Sequence, residues 1–348
     1  MQLKGINTLC RGIGIARSVG CFDLPAKDEY VLGPLVVQGW ALEAQGRTHA
    51  LEIHIDGQPV KTRLQRRPRP DVKERYPALR ANNPNPGFLT VVDGSSLASG
   101  RHSITLIGRS GATAKVLART SIRVPNDTRE FLAQRFLTGS GLEIGALNRP
   151  LAVPEDCRVR YVDRMDVNGL REQYPELKDQ PLAPVDLIDN GETLETVAGV
   201  SQDFIIANHI LEHTQDPIGT IERHLQRLKP GGVLYLTVPD KRFTFDVTRP
   251  VTPLEHLYRD YEKGPAWSYR DHVQEWVACV KQLTGEPAAE EVRRIVSTAY
   301  SIHFHVWGQQ EFLEMLVDIR RRLRLPFDIE ALMTEGVEII SILRKLRT

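Results

Sequence analysis

Long apolar runs are missing from this chain of 348 residues. No stretch approaches the roughly 20 residues that a membrane-spanning helix needs. The opening segment, MQLKGINTLCRGIGIARSVG, also lacks a continuous apolar stretch, because Arg11 and Arg17 interrupt it, so no leader peptide is expected. Cysteine is scarce: Cys10, Cys21, Cys157 and Cys279 contain no C-x-x-C pair and no ligand-like clustering. That argues against a disulfide framework and suits reduced thiols in a cytoplasm. There is no excess of one charge, since 45 Lys+Arg face 44 Asp+Glu for a net charge of +1. A dedicated nucleic-acid-binding domain is usually strongly basic. Internal repeats and low-complexity tracts are lacking too. What remains, 41% hydrophobic and 26% charged residues, is the balance of a globular protein. At roughly 150 residues per domain, two domains are expected.

The texture changes near residue 125. Before it, Tyr30–Gln38, Leu51–Ile55, Leu89–Val92, Ser103–Ile107 and Val116–Val124 read as short strands separated by turn pairs such as Asp56-Gly57 and Asp93-Gly94. Ile53 and Ile55 alternate with Glu52 and His54, the period-2 pattern of a half-buried strand. Several strands and no convincing helix predict an all-β sandwich over residues 1–125. Trp40 reads as sandwich core rather than a sugar-stacking platform. Residues 61–75 hold seven basic and two acidic side chains but no interleaved aromatics, so they read as an exposed loop of the sandwich.

Asp127, followed three residues later by Glu130, predicts a helix start, with the helix running to about Leu137. From there strands alternate with helices. Leu142–Ile144, Val159–Val162, Val185–Ile188, Phe204–Ala207 and Val233–Val238 are the strands, and Ile218–Leu228 is a helix stopped by Pro230-Gly231-Gly232. Such alternation predicts a doubly wound α/β domain with a parallel sheet over 126–348, and a helical insertion at about 241–300.

In such a sheet ligands sit at the carboxyl ends of the strands. Those ends carry Glu143-Ile144-Gly145-Ala146, then Asp163, Asp189, Asn208-His209 and Asp240. Asp163 follows Glu143 by 20 residues, at the place where an acidic side chain accepts from both hydroxyls of a ribose. A dinucleotide fingerprint is not supported. Gly139-Ser140-Gly141 precedes the first strand, whereas the motif must follow it to place phosphate on a helix N-terminus.

The pieces LEIGA, YVD, DFIIANHILEH and LKPGGVLYLTVPD, in this order over roughly 130–240, resemble a class I S-adenosylmethionine-dependent methyltransferase. With DPIG, VPDKRFTFD, TPLEH and HFHVW they resemble, more narrowly, bacterial methyltransferases found with glycan-assembly enzymes, over nearly all of 139–345. The front, with GWAL, IDG, RRPRPDV and GF, looks like a sandwich module that accompanies glycosyltransferases. The first loop departs from the usual E/D-x-G-x-G-x-G: it reads Glu143-Ile144-Gly145-Ala146-Leu147-Asn148-Arg149, with two glycines absent.

The resemblance implies S-adenosylmethionine as cofactor and O-methylation of a sugar or glycan intermediate. It also implies glycosyltransferases as partners and a seven-stranded sheet with an antiparallel hairpin near 300–307 and 336–344, while the cysteine usage points to a cytoplasmic location. On that reading Glu143, Gly145 and Ala146 hold the methionine end, Asp163 and Arg164 the ribose, and Asp189 the adenine amine. Asn208 and His209 lie near the sulfonium. A sugar hydroxyl also needs a general base. Candidates are His209, His213, Asp240, His256, His303 and His305. Of these His209, Asp240 and His305 are taken as catalytic, and His213 as a structural histidine bonded to backbone. Lys241, Arg242, His256, Tyr258 and Arg259 are expected to bind the acceptor as part of a lid. A metal pair of His209 and His213 lacks a third ligand at a compelling spacing, so no metal is expected. The alternatives are a methyltransferase of a small non-sugar metabolite, or a non-catalytic carbohydrate-binding or scaffold protein with a degenerate cofactor site. No Asn-Pro-Pro-Tyr-type loop follows the fourth strand, against a nucleic-acid methyltransferase.

Overall fold

The computed structural model describes residues 18–42, 50–78, 83–110 and 112–347. Cys10 and the opening segment read as lacking a leader, up to Arg17, lie outside the described residues. The chain divides into two compact units, Met1–Asp127 and Thr128–Thr348.

The first unit holds β1 (Val19–Leu24), β2 (Glu29–Tyr30), β3 (Pro34–Leu42), β4 (Ala50–Ile55), β5 (Gln58–Pro59), β6 (Gln65–Arg67), α1 (Pro70–Arg75), β7 (Gly87–Asp93), β8 (Gly100–Ser110) and β9 (Thr113–Val124). Its strands form two sheets, ordered β1-β3-β7-β6 and β2-β9-β8-β4-β5. Alternate residues of both, among them Val37, Phe88, Ile53, Ile104 and Ile122, are buried in one shared core. The packing leaves no room at Gly39, where a Cβ would stand 2.1 Å from the Cys21 carbonyl oxygen. The basic stretch 61–75 is not a plain loop. It contributes β6 at a sheet edge and then α1, which starts on Pro70 and tucks Val72 into a small cluster with Leu42, flanked by Trp40 and Tyr76.

The second unit holds α2 (Thr128–Phe136), β10 (Ser140–Ile144), β11 (Arg158–Asp163), α3 (Val167–Gln173), β12 (Leu187–Ile188), β13 (Gln202–Asn208), α4 (Pro217–Arg227), β14 (Leu228–Pro239), α5 (Leu254–Lys263), α6 (Tyr269–Cys279), α7 (Gly285–Thr298), α8 (Gln309–Arg322), β15 (Phe327–Glu335) and β16 (Glu338–Lys345). One sheet runs β12-β11-β10-β13-β14-β16-β15. Its first five strands are parallel, and β16 is antiparallel to both its neighbours. The fold is a doubly wound, Rossmann-like α/β fold. Both sheet faces are covered, which is why the middle of β13, Phe204–Ala207, is an unbroken apolar run. Ile205 and Ala207 pack with α4 and α8 through Ile218, Ile221, Phe312 and Leu316. Phe204 and Ile206 pack on the other face with Leu132 and Ala133 of α2. Helix starts follow local chemistry: Asp166 and Asp216 accept from the N–H of Gly169 and Gly219 (both 2.8 Å), and Pro217 fills the first turn of α4.

The expected hairpin is corrected. β16 covers 338–345, but its partner is β15, joined through Gly336 at φ +57°. Residues 300–307 form an irregular segment with a single parallel bridge, Asp240 to Trp307. The physical reason is packing: Ile302 and Phe304 bury against α6 and α7, and the Phe304 N–H donates to the Glu212 carbonyl (2.7 Å). Among the described residues no helix is long and apolar enough to cross a membrane.

Candidate active site

The carboxyl ends of β10, β11, β12 and β13 open into a cavity of about 1120 Å³. Gly145, directly after β10, has φ +64°, and a Cβ there would lie 2.7 Å from Ile210 Cδ1. Glycine is therefore favoured for its left-handed conformation, while the Ile210 methyl can shift aside from a Cβ. Glu143 lies beneath this loop rather than in the cavity lining. Both its oxygens accept the Leu151 N–H (3.0 and 3.1 Å), so it clamps the loop from below. Burial pushes its carboxyl up to about 7, against the opposing pull of the Leu151 N–H and of Arg129. Ala146 is also outside the lining.

Asp163 and Arg164, at the end of β11, do line the cavity. Burial raises the Asp163 carboxyl above its usual range, while one of its oxygens accepts the Arg164 N–H (2.7 Å). The Arg164 guanidinium is tied to the Tyr174 hydroxyl (3.1 Å). Ile188, at the end of β12, is 59% exposed on the cavity wall, an apolar face open to a flat ligand. Asp189 lines the cavity, but its carboxylate serves its own loop. It accepts from the N–H of Asn190, Glu195 and Thr196 and from the Thr196 hydroxyl at 2.6–3.2 Å. That corrects its expected role at the adenine amine.

At the end of β13, the Thr237 hydroxyl donates to Asn208 Oδ1 (2.7 Å), and the Asn208 side chain faces the Glu143 carboxyl and pulls it down. His209 adopts φ +53°, unusual for a residue with a side chain. Its Nδ1 pairs with Glu212 (3.2 Å) and its Nε2 with Glu338 (2.7 Å). Burial works against its charged form, but the two carboxylates prevail and lift it to about 9. At neutral pH it is an imidazolium, which corrects its expected role as a base.

The remaining acceptor-side expectations are also corrected. His305 is fully buried and lies outside the cavity lining. Asp240 is buried and accepts from the N–H and guanidinium of Arg242, capping the following turn. Lys241 donates to the Val247 carbonyl, Tyr258 to Asp318, and Arg259 stacks on Trp267 at 3.8 Å. His256 packs beside His272 and Trp267. None of Lys241, Arg242, His256, Tyr258 and Arg259 lines the cavity.

The far end of the cavity is built instead by Phe245, Trp276, Lys281, Tyr300 and His303. The segment 300–307 is not a regular strand, so histidines two residues apart reach different surroundings. His303 Nδ1 pairs with Asp246 Oδ2 at 2.6 Å. Asp246 is buried, and burial alone would raise it; His303 and Arg249 outweigh that and hold it below the usual carboxylate range. Arg249, itself buried, holds Asp246 (2.9 Å), Glu275 (2.9 Å) and the carbonyls of His303 and Phe304. His213 lines the cavity beside His303, with Nδ1 bonded to the Ile302 carbonyl (2.9 Å), and burial pushes it down. Glu212, His213 and His303 bring ligating atoms within 4.8 Å of one another. Asp246 was not singled out from the sequence; its only local signal is the spacing to Arg249, which puts both side chains on one side of a turn.

Residues 117–284 match the family model of a methyltransferase domain. No curated protein matches the chain. Among solved structures, a carbon methyltransferase, CurJ, is 14% identical over 61% of this chain and 49% of its own, about half its length, with a TM-score of 0.33. A SAM-dependent methyltransferase from Aquifex aeolicus is 14% identical over 60% of this chain and 82% of its own, with a TM-score of 0.33. A putative S-adenosylmethionine-dependent methyltransferase from Listeria monocytogenes is 10% identical over 60% and 92%, with a TM-score of 0.34. The protein is an enzyme, a methyltransferase, as the matched domain indicates. S-adenosylmethionine is the cofactor expected from the sequence motifs. The cavity fits that group: an acidic side chain, Asp163, at the end of β11, a left-handed glycine, Gly145, after β10, and the Asn208 side chain at the end of β13 all line it.

Proposed function

We propose that the protein transfers the methyl group of S-adenosylmethionine to a hydroxyl of a sugar or glycan intermediate. The observation that carries this reading is His303, held by Asp246 at the cavity end lined by Phe245, Tyr300 and Lys281. The Asp246 carboxylate keeps the proton on Nδ1, so Nε2 is the nitrogen that takes the proton of an acceptor hydroxyl. Phe245 and Tyr300, 55% and 41% exposed, offer aromatic faces to the apolar face of a sugar ring, and Lys281 suits an anionic substituent. Asp163 holds the ribose hydroxyls, Ile188 the adenine face, and the Gly145 loop and Asn208 the methionine end. When bound, the cofactor supplies an electrophilic methyl on a sulfonium. The rest of catalysis is orientation and proton removal.

The front unit, with its two sheets on one core, fits a β-sandwich accessory domain of residues 1–125 that docks glycosyltransferases or glycan. Residues 126–348 form the catalytic domain, with 241–300 building the acceptor end. A cytoplasmic enzyme without nucleic-acid partners suits the balanced charge.

Titration calorimetry with S-adenosylhomocysteine is the test of the donor site, with Asp163→Ala expected to abolish binding. His303→Gln is expected to keep that binding and to lower methyl transfer to sugar acceptors by about 10²–10⁴-fold. Binding absent in the folded wild type would favour the carbohydrate-binding or scaffold alternative. Undiminished turnover in His303→Gln would remove the assigned base.

A further inference from the structure

Away from the cavity, a second set of ionisable side chains converges inside the helical insertion. His256 and Asp260 lie one turn apart on α5 and share a face. His272 comes from α6, and His305 from the irregular segment after α7. Each offers a ligating atom, and the four atoms lie within 4.8 Å of one another. Asp260 and His305 are fully buried and His272 is 8% exposed. The imidazoles stand steeply to one another, at 71° for His256 with His272 and with His305, and 82° for His272 with His305.

Hydrogen bonds within the group do not satisfy it. Asp260 Oδ2 and His305 Nδ1 are buried without a hydrogen-bond partner. His256 Nε2 stands 3.2 Å from that Asp260 oxygen, yet no hydrogen bond joins them. The other Asp260 oxygen is oriented by the Ser268 hydroxyl (2.8 Å), the kind of outer partner that fixes a metal-binding carboxylate. His256 Nε2 and His272 Nε2 face each other at 2.9 Å. Ligand nitrogens around a tetrahedral zinc ion stand roughly 3.3 Å apart, so small shifts admit the ion between them. Left empty, the buried Asp260 Oδ2 has no well-formed hydrogen bond and faces the His256 and His305 imidazoles, at 3.2 and 3.7 Å; a divalent cation would satisfy it.

We propose that His256, Asp260, His272 and His305 bind a zinc ion in a closed, four-coordinate His₃Asp site. Nitrogen and carboxylate donors in a tetrahedral set suit zinc, and a fully protein-ligated site is structural in kind. The ion ties α5 and α6 to the segment that carries His303 to the cavity. This departs from the sequence expectation of no metal and does not rest on the acceptor assigned above.

The test uses the full chain, purified without chelator. Elemental analysis is expected to find about one zinc per chain. After removal of the metal, cobalt(II) chloride is expected to restore one equivalent with the visible absorption of tetrahedral cobalt. His256→Gln, which changes the most exposed ligand, and Asp260→Asn are expected to lose that uptake, while His303→Gln, from the group with Glu212 and His213, keeps it. Chelation is expected to lower the melting temperature of the wild type and not of His256→Gln. A wild-type protein that is folded by circular dichroism yet takes up neither zinc nor cobalt overturns the proposal. So does a metal lost with His303→Gln and kept with His256→Gln.

Discussion

His209 and Glu143 flank the same loop and titrate in opposite ways. His209 is lifted to about 9 by Glu212 and Glu338 against the effect of burial. A histidine whose folded pKa lies above its unfolded one contributes stability that is present below about pH 6.5 and lost as pH rises through about 9. Glu143 is raised to about 7 by burial. Its protonated form is the one the fold favours, so stability falls as pH rises from about 4.5 towards 7 and levels off above. Melting temperatures between pH 5 and 9.5 are expected to fall in both windows. Glu143→Gln is expected to flatten the lower window and Glu338→Gln the upper one. An unchanged slope in either variant would remove that residue from the account. Neither environment was legible in the sequence. Glu338 lies 129 residues from His209, and only the pairing of β14 with β16 brings it there.

At the scale of elements, the apolar runs of the parallel strands were readable because a sheet covered on both faces needs them. The helix start at Asp127 was readable from local capping chemistry and the helix at Ile218–Leu228 from its pattern, whereas the Asp216 cap of that helix emerged from the structure. Where a neighbour decides, the resemblance misled: it implied a strand at 300–307, and packing of Ile302 and Phe304 against α6 and α7 made that segment a brace. The loop after β10 belongs to both kinds. Gly145 is visible in LEIGA, but its left-handed backbone and its closeness to Ile210 are tertiary facts. Gly145→Ala is expected to cost about 1–2 kcal/mol in urea unfolding, from the left-handed backbone alone. The same change is expected to weaken S-adenosylhomocysteine binding in calorimetry, and undiminished affinity would take Gly145 out of the donor site.

At the scale of the molecule, Thr128–Thr348 has core on both faces of its own sheet. Residues 126–348 expressed alone are therefore expected to fold cooperatively and to bind S-adenosylhomocysteine as tightly as the full chain. A loss of binding there would make the front unit part of the donor site. By itself the sequence determined the class of fold, the order of its strands along the chain and the acidic group at the end of β11, because hydrophobic period and turn chemistry act over a few residues. Tertiary structure alone decided that His303 rather than His305 reaches the cavity, that His209 is a cation, and that four distant side chains converge around Asp260. Those outcomes depend on burial and on charges brought together from far along the chain.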